Sequence, residues 1–148
     1  MPYAWSSDLE TGNASIDNQH RQLIGALNEL FDAHQSGKGR QEVESALDFM
    51  MAYATQHFTD EEKLQTACNY PGYLTHKRLH DEFIRMVQGL AKNISSLGST
   101  DDFITNVHVK LGEWLHNHIM GEDAKMAAYI QTAKQQGASQ ENKAPTFL

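Results

Sequence analysis

A short break, Tyr70-Pro71-Gly72, separates two pairs of residues spaced by four, and this arrangement constrains the chain more than any other feature. His57 and Glu61 stand before the break; His76 and His80 stand after it. Residues four apart lie one above the other on a helical face. Proline cannot continue a helix, and glycine frees the backbone to turn. So short a connection makes the flanking helices antiparallel neighbours, and the two pairs then face each other. Each pair is a two-pronged claw suited to gripping a metal ion.

Both claws sit on longer seams with alternating steps of three and four. The first seam runs Ile16, His20, Leu23, Leu27, Leu30; the second runs Val43, Leu47, Met50, Ala54, His57, Glu61, Leu64. The third is His76, His80, Phe83, Val87, Leu90, Ile94, Leu97, and the fourth is Ile104, Val107, Leu111, Trp114, His118. Ser15 or Asp17 is expected to cap the first helix and Gly37-Lys38-Gly39 to end it. Gly98-Ser99-Thr100 closes the third helix, and Ser99 with Asp102 resembles a capping box for the fourth. Residues 1–15 read as an ordered arm without regular structure. No strand pattern, internal repeat or second domain is visible. The expected fold is all-α, an up-down-up-down antiparallel four-helix bundle with an N-terminal arm. It spans residues 1–136, with 137–148 a loose tail.

The fourth helix carries an irregularity. After His118 the apolar set resumes at Met126 and Ile130, one residue late, and Asp123 shares the shifted phase. A five-residue step lands about 140° round a regular helix, too far for a shared face. A π-bulge between residues 117 and 125 would restore the alignment, with Gly121 absorbing unusual dihedrals.

His20, His57, Glu61, His76, His80 and His118 thus stand where the pattern calls for leucine, and Asp123 stands at the slipped position. Burying so many ionisable groups without partners costs on the order of several kcal/mol each. Their depths agree. His20 lies 18 residues before Lys38 and His57 lies 19 after it; His80 and His118 each lie 19 from Ser99. Glu61 is 8 before Asn69 and His76 is 7 after it. In an antiparallel bundle all seven groups share one level. Five imidazoles and two carboxylates exceed the needs of one ion and suit two ions bridged by the carboxylates. Such a donor set suits iron, and also manganese, cobalt or zinc. The remaining histidines fall outside: His34 lies about 21 Å along the helix from His20, His116 points about 160° away from His118, and His108 is off the seam.

A net charge of −7 argues against a nucleic-acid or anionic-membrane surface. No apolar stretch is long enough to span a bilayer. Met1 to Trp5 lack the basic residues and apolar run of a signal peptide. Cys68 is the single cysteine, which suits a reducing compartment. A cytoplasmic monomer is the expectation.

At this point the chain resembles the hemerythrins, specifically the single-domain bacterial ones. The matching stretches are Trp5 with Asp8-Leu9-x-x-Gly12, Ile16-Asp17-Asn18-Gln19-His20, His57-Phe58-x-x-Glu61-Glu62, Tyr70-Pro71, His76-x-x-x-His80 and Trp114-Leu115-x-x-His118-Ile119-x-x-x-Asp123. The resemblance implies two non-haem iron ions that bind dioxygen reversibly, for storage, delivery or scavenging, with no catalytic turnover. By carry-over, His76, His80 and His118 hold the coordinatively full iron, and His20 and His57 the iron with an open position. Glu61 and Asp123 bridge the pair beside a solvent-derived oxo or hydroxo group. Phe58, Leu115 and Ile119 adjoin ligands and are candidates for the pocket wall. Glu62, about 100° round the helix from Glu61, reads as a solvated or supporting residue. Two carboxylates and a hydroxide leave two ferrous ions a formal charge of about +1, and a histidine-rich site with dry walls favours a carrier over an oxidant. The alternatives are a di-iron peroxidase or nitric-oxide-handling enzyme, and an oxygen or redox sensor module.

Overall fold

Asn13 opens the bundle. In the computed structural model, which describes residues 3–37, 39–97 and 101–142, its side chain accepts a hydrogen bond from the Ile16 N–H at 3.1 Å. That contact starts α1, Ala14–Gln35, earlier than either expected cap. Ser15 lies inside the helix. Asp17 is buried and instead accepts from the Thr11 N–H at 2.9 Å and the Thr11 hydroxyl at 2.7 Å, tying the arm to the helix. Gly37, at φ 68°, turns the chain out of α1; its neighbour Lys38 lies outside the described residues. The second helix, α2, is Arg40–Ala67. It ends where Asn69 takes a left-handed φ of 55° and the Tyr70 N–H reaches back to the Gln65 carbonyl at 2.9 Å. The third, α3, is Tyr73–Leu97. Gly98-Ser99-Thr100, and with it the Ser99 half of the expected capping box, lies outside the described residues. Then follow α4, Asp101–His118, a π-helical turn, Ile119–Asp123, and α5, Ala124–Asn142. The backbone of residues 137–142, expected as tail, is helical, and 143–148 are not described.

Helix α1 packs on α2 and α4, α2 on α3, and α3 on α4, which closes a four-helix ring. The described residues contain no strand. Leu23, Leu27 and Leu30 meet Val43, Leu47 and Met50, Phe83 and Val87, and Ile104 and Leu111 in the main core. Each such side chain contributes about 1.5–3 kcal/mol by leaving water. A smaller cluster, Ile16, Met126 and Ile130, closes the ring one level beyond His20. The polar residues of the seams lie between these two apolar layers.

The arm is fastened rather than trailing, and it contains a short 3₁₀ turn at Ser7–Leu9. The Tyr3 N–H donates to Asn28 Oδ1 at 2.8 Å, and Asn28 Nδ2 donates back to the Tyr3 carbonyl at 2.7 Å. The Tyr3 ring lies on Gly112, where a Cβ would stand 2.0 Å from Tyr3 Cζ. Leu9 completes the seal by packing on Ile24 and Ile119.

Candidate metal centre

The seven seam-breaking residues converge. None of His20, His57, Glu61, His76, His80, His118 and Asp123 is more than 5 % exposed. Their donor atoms form two overlapping groups, in each of which all atoms lie within 4.8 Å of one another. One group is His76, His80 and His118, the other His20 and His57, and Glu61 and Asp123 belong to both. Asp123 reaches them because the π turn carries an i→i+5 hydrogen bond, from the Ala124 N–H to the Ile119 carbonyl. This lies within the stretch where the phase slip predicts it. Gly121, however, keeps a negative φ and a Cβ there would meet nothing, so the widened turn does not depend on glycine.

Each carboxylate divides its two oxygens between the groups. Glu61 Oε1 contacts His57 Nε2 and lies 3.4 Å from His20 Nε2, while Oε2 lies 3.3 Å from His76 Nε2 and 3.8 Å from His80 Nε2. Asp123 Oδ2 lies 2.9 Å from His20 Nε2, and Oδ1 lies 3.0 and 3.1 Å from His76 and His118 Nε2. Several of these are distances without hydrogen-bond geometry: Glu61 Oε2, Asp123 Oδ1 and His80 Nε2 have no hydrogen-bond partner. The Nε2 atoms of His76 and His118 approach to 3.1 Å, so lone pairs would face each other unless one nitrogen carries the proton. The atoms point at shared centres. Bonds of about 2.0–2.2 Å from imidazole nitrogen or carboxylate oxygen set neighbouring donors on one ion about 3 Å apart and opposite ones about 4 Å apart, and all atoms of each group lie within 4.8 Å of one another. The donor set fits metal ions held between them.

Electrostatics carry the same imprint. Burial pulls His20 and His76 down, but the Asp123 and Glu61 carboxylates outweigh it and raise both to about 9. Burial and Asp123 push Glu61 up, yet the surrounding imidazoles hold it at about 2. Burial drives His80 down to about 3, helped by His76 and His118 against the pull of Glu61.

Aromatic rings brace the centre. Phe58 stacks on His80 at 3.9 Å and Trp114 on His118 at 4.4 Å between centroids. Leu115 lines an apolar cavity of about 20 Å³ with Ile24, Leu27, Leu9 and Tyr3, and Ile119 is buried against Leu9 and Ile24. Phe58 therefore lies toward the three-histidine side, and Leu115 and Ile119 toward the arm.

Seam phase alone passed over several residues. Gln19 is one: His57 Nδ1 lies 2.6 Å from Gln19 Oε1, while Glu62, read from the sequence as solvated or supporting, takes the supporting place, with His80 Nδ1 3.1 Å from Glu62 Oε2. Position alone could have found Gln19, since it stands one residue before His20 and faces α2. The α2 seam continues at Gln65, fully buried, whereas Leu64 is only partly so. His108, placed off the seam, is buried beneath the arm, stacked on Phe31 at 4.3 Å. His116 is exposed and His34 half-buried; neither joins the two donor groups.

A family model, the hemerythrin HHE cation binding domain, matches residues 11–130. A bacteriohemerythrin of Stenotrophomonas maltophilia is 35% identical over 126 residues, covering 85% of this chain and 80% of that protein. A hemerythrin-like protein of Naegleria gruberi is 32% identical over 125 residues, covering 84% and 90%. A crystal structure of wild-type hemerythrin superposes with a TM-score of 0.79 at 24% identity, covering 88% of this chain and 98% of the other, and supports the fold. With the family model extending over residues 11–130, across the four helices that carry the buried cluster, and relatives 32% and 35% identical over most of the chain, the chain belongs to the hemerythrin family.

Proposed function

We propose that the protein binds dioxygen reversibly at a pair of non-haem iron ions held by the buried cluster, as a carrier or store. The observation that carries this reading is the unequal, shared donor set: five residues around one centre and four around the other, with both carboxylates common to the two. A ferrous pair bound there would supply the electrons that hold dioxygen. His76, His80 and His118 would hold one ion, and His20 and His57, with one donor fewer, would hold the other and leave it room for a small ligand. Glu61 and Asp123, whose two oxygens face different donor groups, would serve both ions. Leu115 and Ile119 would wall the centre on the arm side, and Phe58 on the three-histidine side.

The same walls favour a carrier over a peroxidase or a nitric-oxide-handling enzyme, because Phe58, Leu115 and Ile119 offer no acid or base to a bound ligand. No helix among the described residues is long and apolar enough to cross a membrane, and a free cysteine suits a reducing cytoplasm.

The test is metal analysis with visible spectra. Purified protein should carry about two irons per chain, and admitting air to the reduced form should create a charge-transfer band that disappears under vacuum as dioxygen leaves intact. Stoichiometric zinc after iron-replete expression, with no oxygen-dependent spectrum after iron reconstitution, would sink the reading.

A further inference from the structure

Two of the five cluster imidazoles are braced from outside by side chains of different charge. On the two-histidine side, His57 Nδ1–H donates to Gln19 Oε1 at 2.6 Å. Gln19 is itself fixed, since its Nε2 donates to Asp60 Oδ2 at 2.9 Å, and Gln56 donates to the other Asp60 oxygen at 2.9 Å. On the three-histidine side, His80 Nδ1–H donates to Glu62 Oε2 at 3.1 Å. Glu62 also pairs with Lys77 Nζ at 3.5 Å. By contrast, Nδ1 of His20 and of His76 has no hydrogen-bond partner. One half of the centre is backed by a neutral amide, the other by a carboxylate.

Both braces hold the hydrogen on Nδ1, and so leave the Nε2 lone pair pointing into the cluster. They differ in what they do to that lone pair. A carboxylate draws the Nδ1 hydrogen toward itself and pushes electron density to Nε2; an amide oxygen does so much less. Lys77 weakens Glu62 only in part, because the ammonium is 43% exposed and solvent screens it, while Glu62 is 19% exposed. A mere surface ion pair would not need Glu62 to reach inward to a buried ring.

We propose that Gln19 and Glu62 are positioning residues that make the two halves of the metal centre electronically unequal. Through His80, Glu62 enriches the coordinatively full side; through His57, Gln19 leaves the open side a weaker donor. The proposal rests on the metal-pair reading above. Its consequence is that the reduction potential is set in opposite directions by the charge of the two braces.

Two kinds of variant separate bracing from charge. Glu62→Ala and Gln19→Ala remove an acceptor, and each should weaken uptake of one of the two cobalt(II) ions by metal-free protein about 10–100-fold. Glu62→Gln keeps an acceptor and should recover most of that affinity, yet make the ferric protein easier to reduce. Gln19→Glu combined with Asp60→Asn puts the carboxylate on the other side at unchanged net charge, and should make it harder to reduce. Imidazole ¹⁵N NMR of metal-free protein should show protected Nδ1–H signals for His57 and His80, each lost in its alanine variant. Alanine variants that take up both cobalt ions like wild type overturn the proposal, as do potentials that stay put or shift together. A wild-type protein that takes up no pair of ions refutes the metal reading instead, and the NMR signals still decide whether the braces exist.

Discussion

At the scale of single residues, the two carboxylates do what no histidine does: each serves both donor groups at once. Glu61→Ala should therefore abolish a stable metal pair, whereas loss of His34 or His116, by His34→Ala or His116→Ala, should leave metal content and spectrum intact. Iron analysis checks this, and a lost site in either control would mean that the wrong histidines carry it. Protons make a second prediction. With His20 and His76 raised to about 9, the metal-free pocket carries both protons at neutral pH, and a metal must displace them. Uptake at pH 7 should release protons into weak buffer and tighten as pH rises toward 9. The same groups shape the stability of the metal-free fold. The contribution of His20 and His76 is complete below about 6.5 and is lost as pH rises through about 9. His80, held at about 3, stays neutral while its unfolded counterpart gains a proton below 6.5. Glu61, held at about 2, gives stability above 4.5 that is lost as pH falls toward 2. Thermal melts of chelator-stripped protein against an Asp123→Asn, Glu61→Gln variant should show the His20 and His76 part as an advantage of the wild type that shrinks as pH rises from about 6.5 through about 9.

At the scale of elements, the π turn and the arm are the two devices that make the bundle specific. Deleting Gly121 would leave four residues from His118 to the aspartate but rotate everything after it by about 100°. Metal and the packing of Met126 and Ile130 should be lost together. Gly121→Ala should instead keep both, because no atom lies within 4 Å of the added Cβ and alanine is a better helix former. Metal loss in Gly121→Ala would show that the turn does need glycine. Gly112→Ala tests the arm. Its Cβ would overlap the far end of the Tyr3 side chain, which can swing aside. Helix α4 should therefore stay intact while residues 3–9 become sensitive to protease, and unchanged protection would mean that Leu9 and the Asn28 clamp suffice to hold the arm.

For the whole molecule, a donor cluster drawn from all four helices of the ring would couple any metal it holds to global stability. An ion at 100 times its dissociation constant stabilises the fold by about 2.7 kcal/mol. In a domain of this size each kcal/mol moves the melting temperature by about 2–4 °C. Full removal of metal should then lower it by roughly 5–11 °C per such ion. A melting temperature that does not respond to complete metal removal would mean that the ligand-bearing helices are held by the apolar layers alone. Truncation in those layers is the counterpart: Leu27→Ala, at a fully buried position, should cost about 2–5 kcal/mol whether or not metal is bound.

Periodicity determined the bundle and, through it, most of the centre. A helix repeats its faces at a fixed angle, so the histidines standing in leucine positions were bound to face inward, and equal distances from the turns placed them at one depth. Even the widened turn before Asp123 was legible, because an apolar rhythm that slips by one residue has to be repaid in backbone geometry. Contacts between helices were not legible in this way. That Asn13 caps α1 while Asp17 ties down Thr11, that His108 lies under the arm, and that α2 buries Gln65 beyond Glu61 all depend on which neighbour lies across the interface. So does the division of each carboxylate between two groups, which needs side-chain distances of a few ångströms. The pairing of Gln19 with His57 and of Glu62 with His80 belongs here as well. One spans α1 and α2, the other α2 and α3, and only tertiary packing brings such residues within hydrogen-bonding reach, because sequence spacing orders faces within a helix and not atoms between helices.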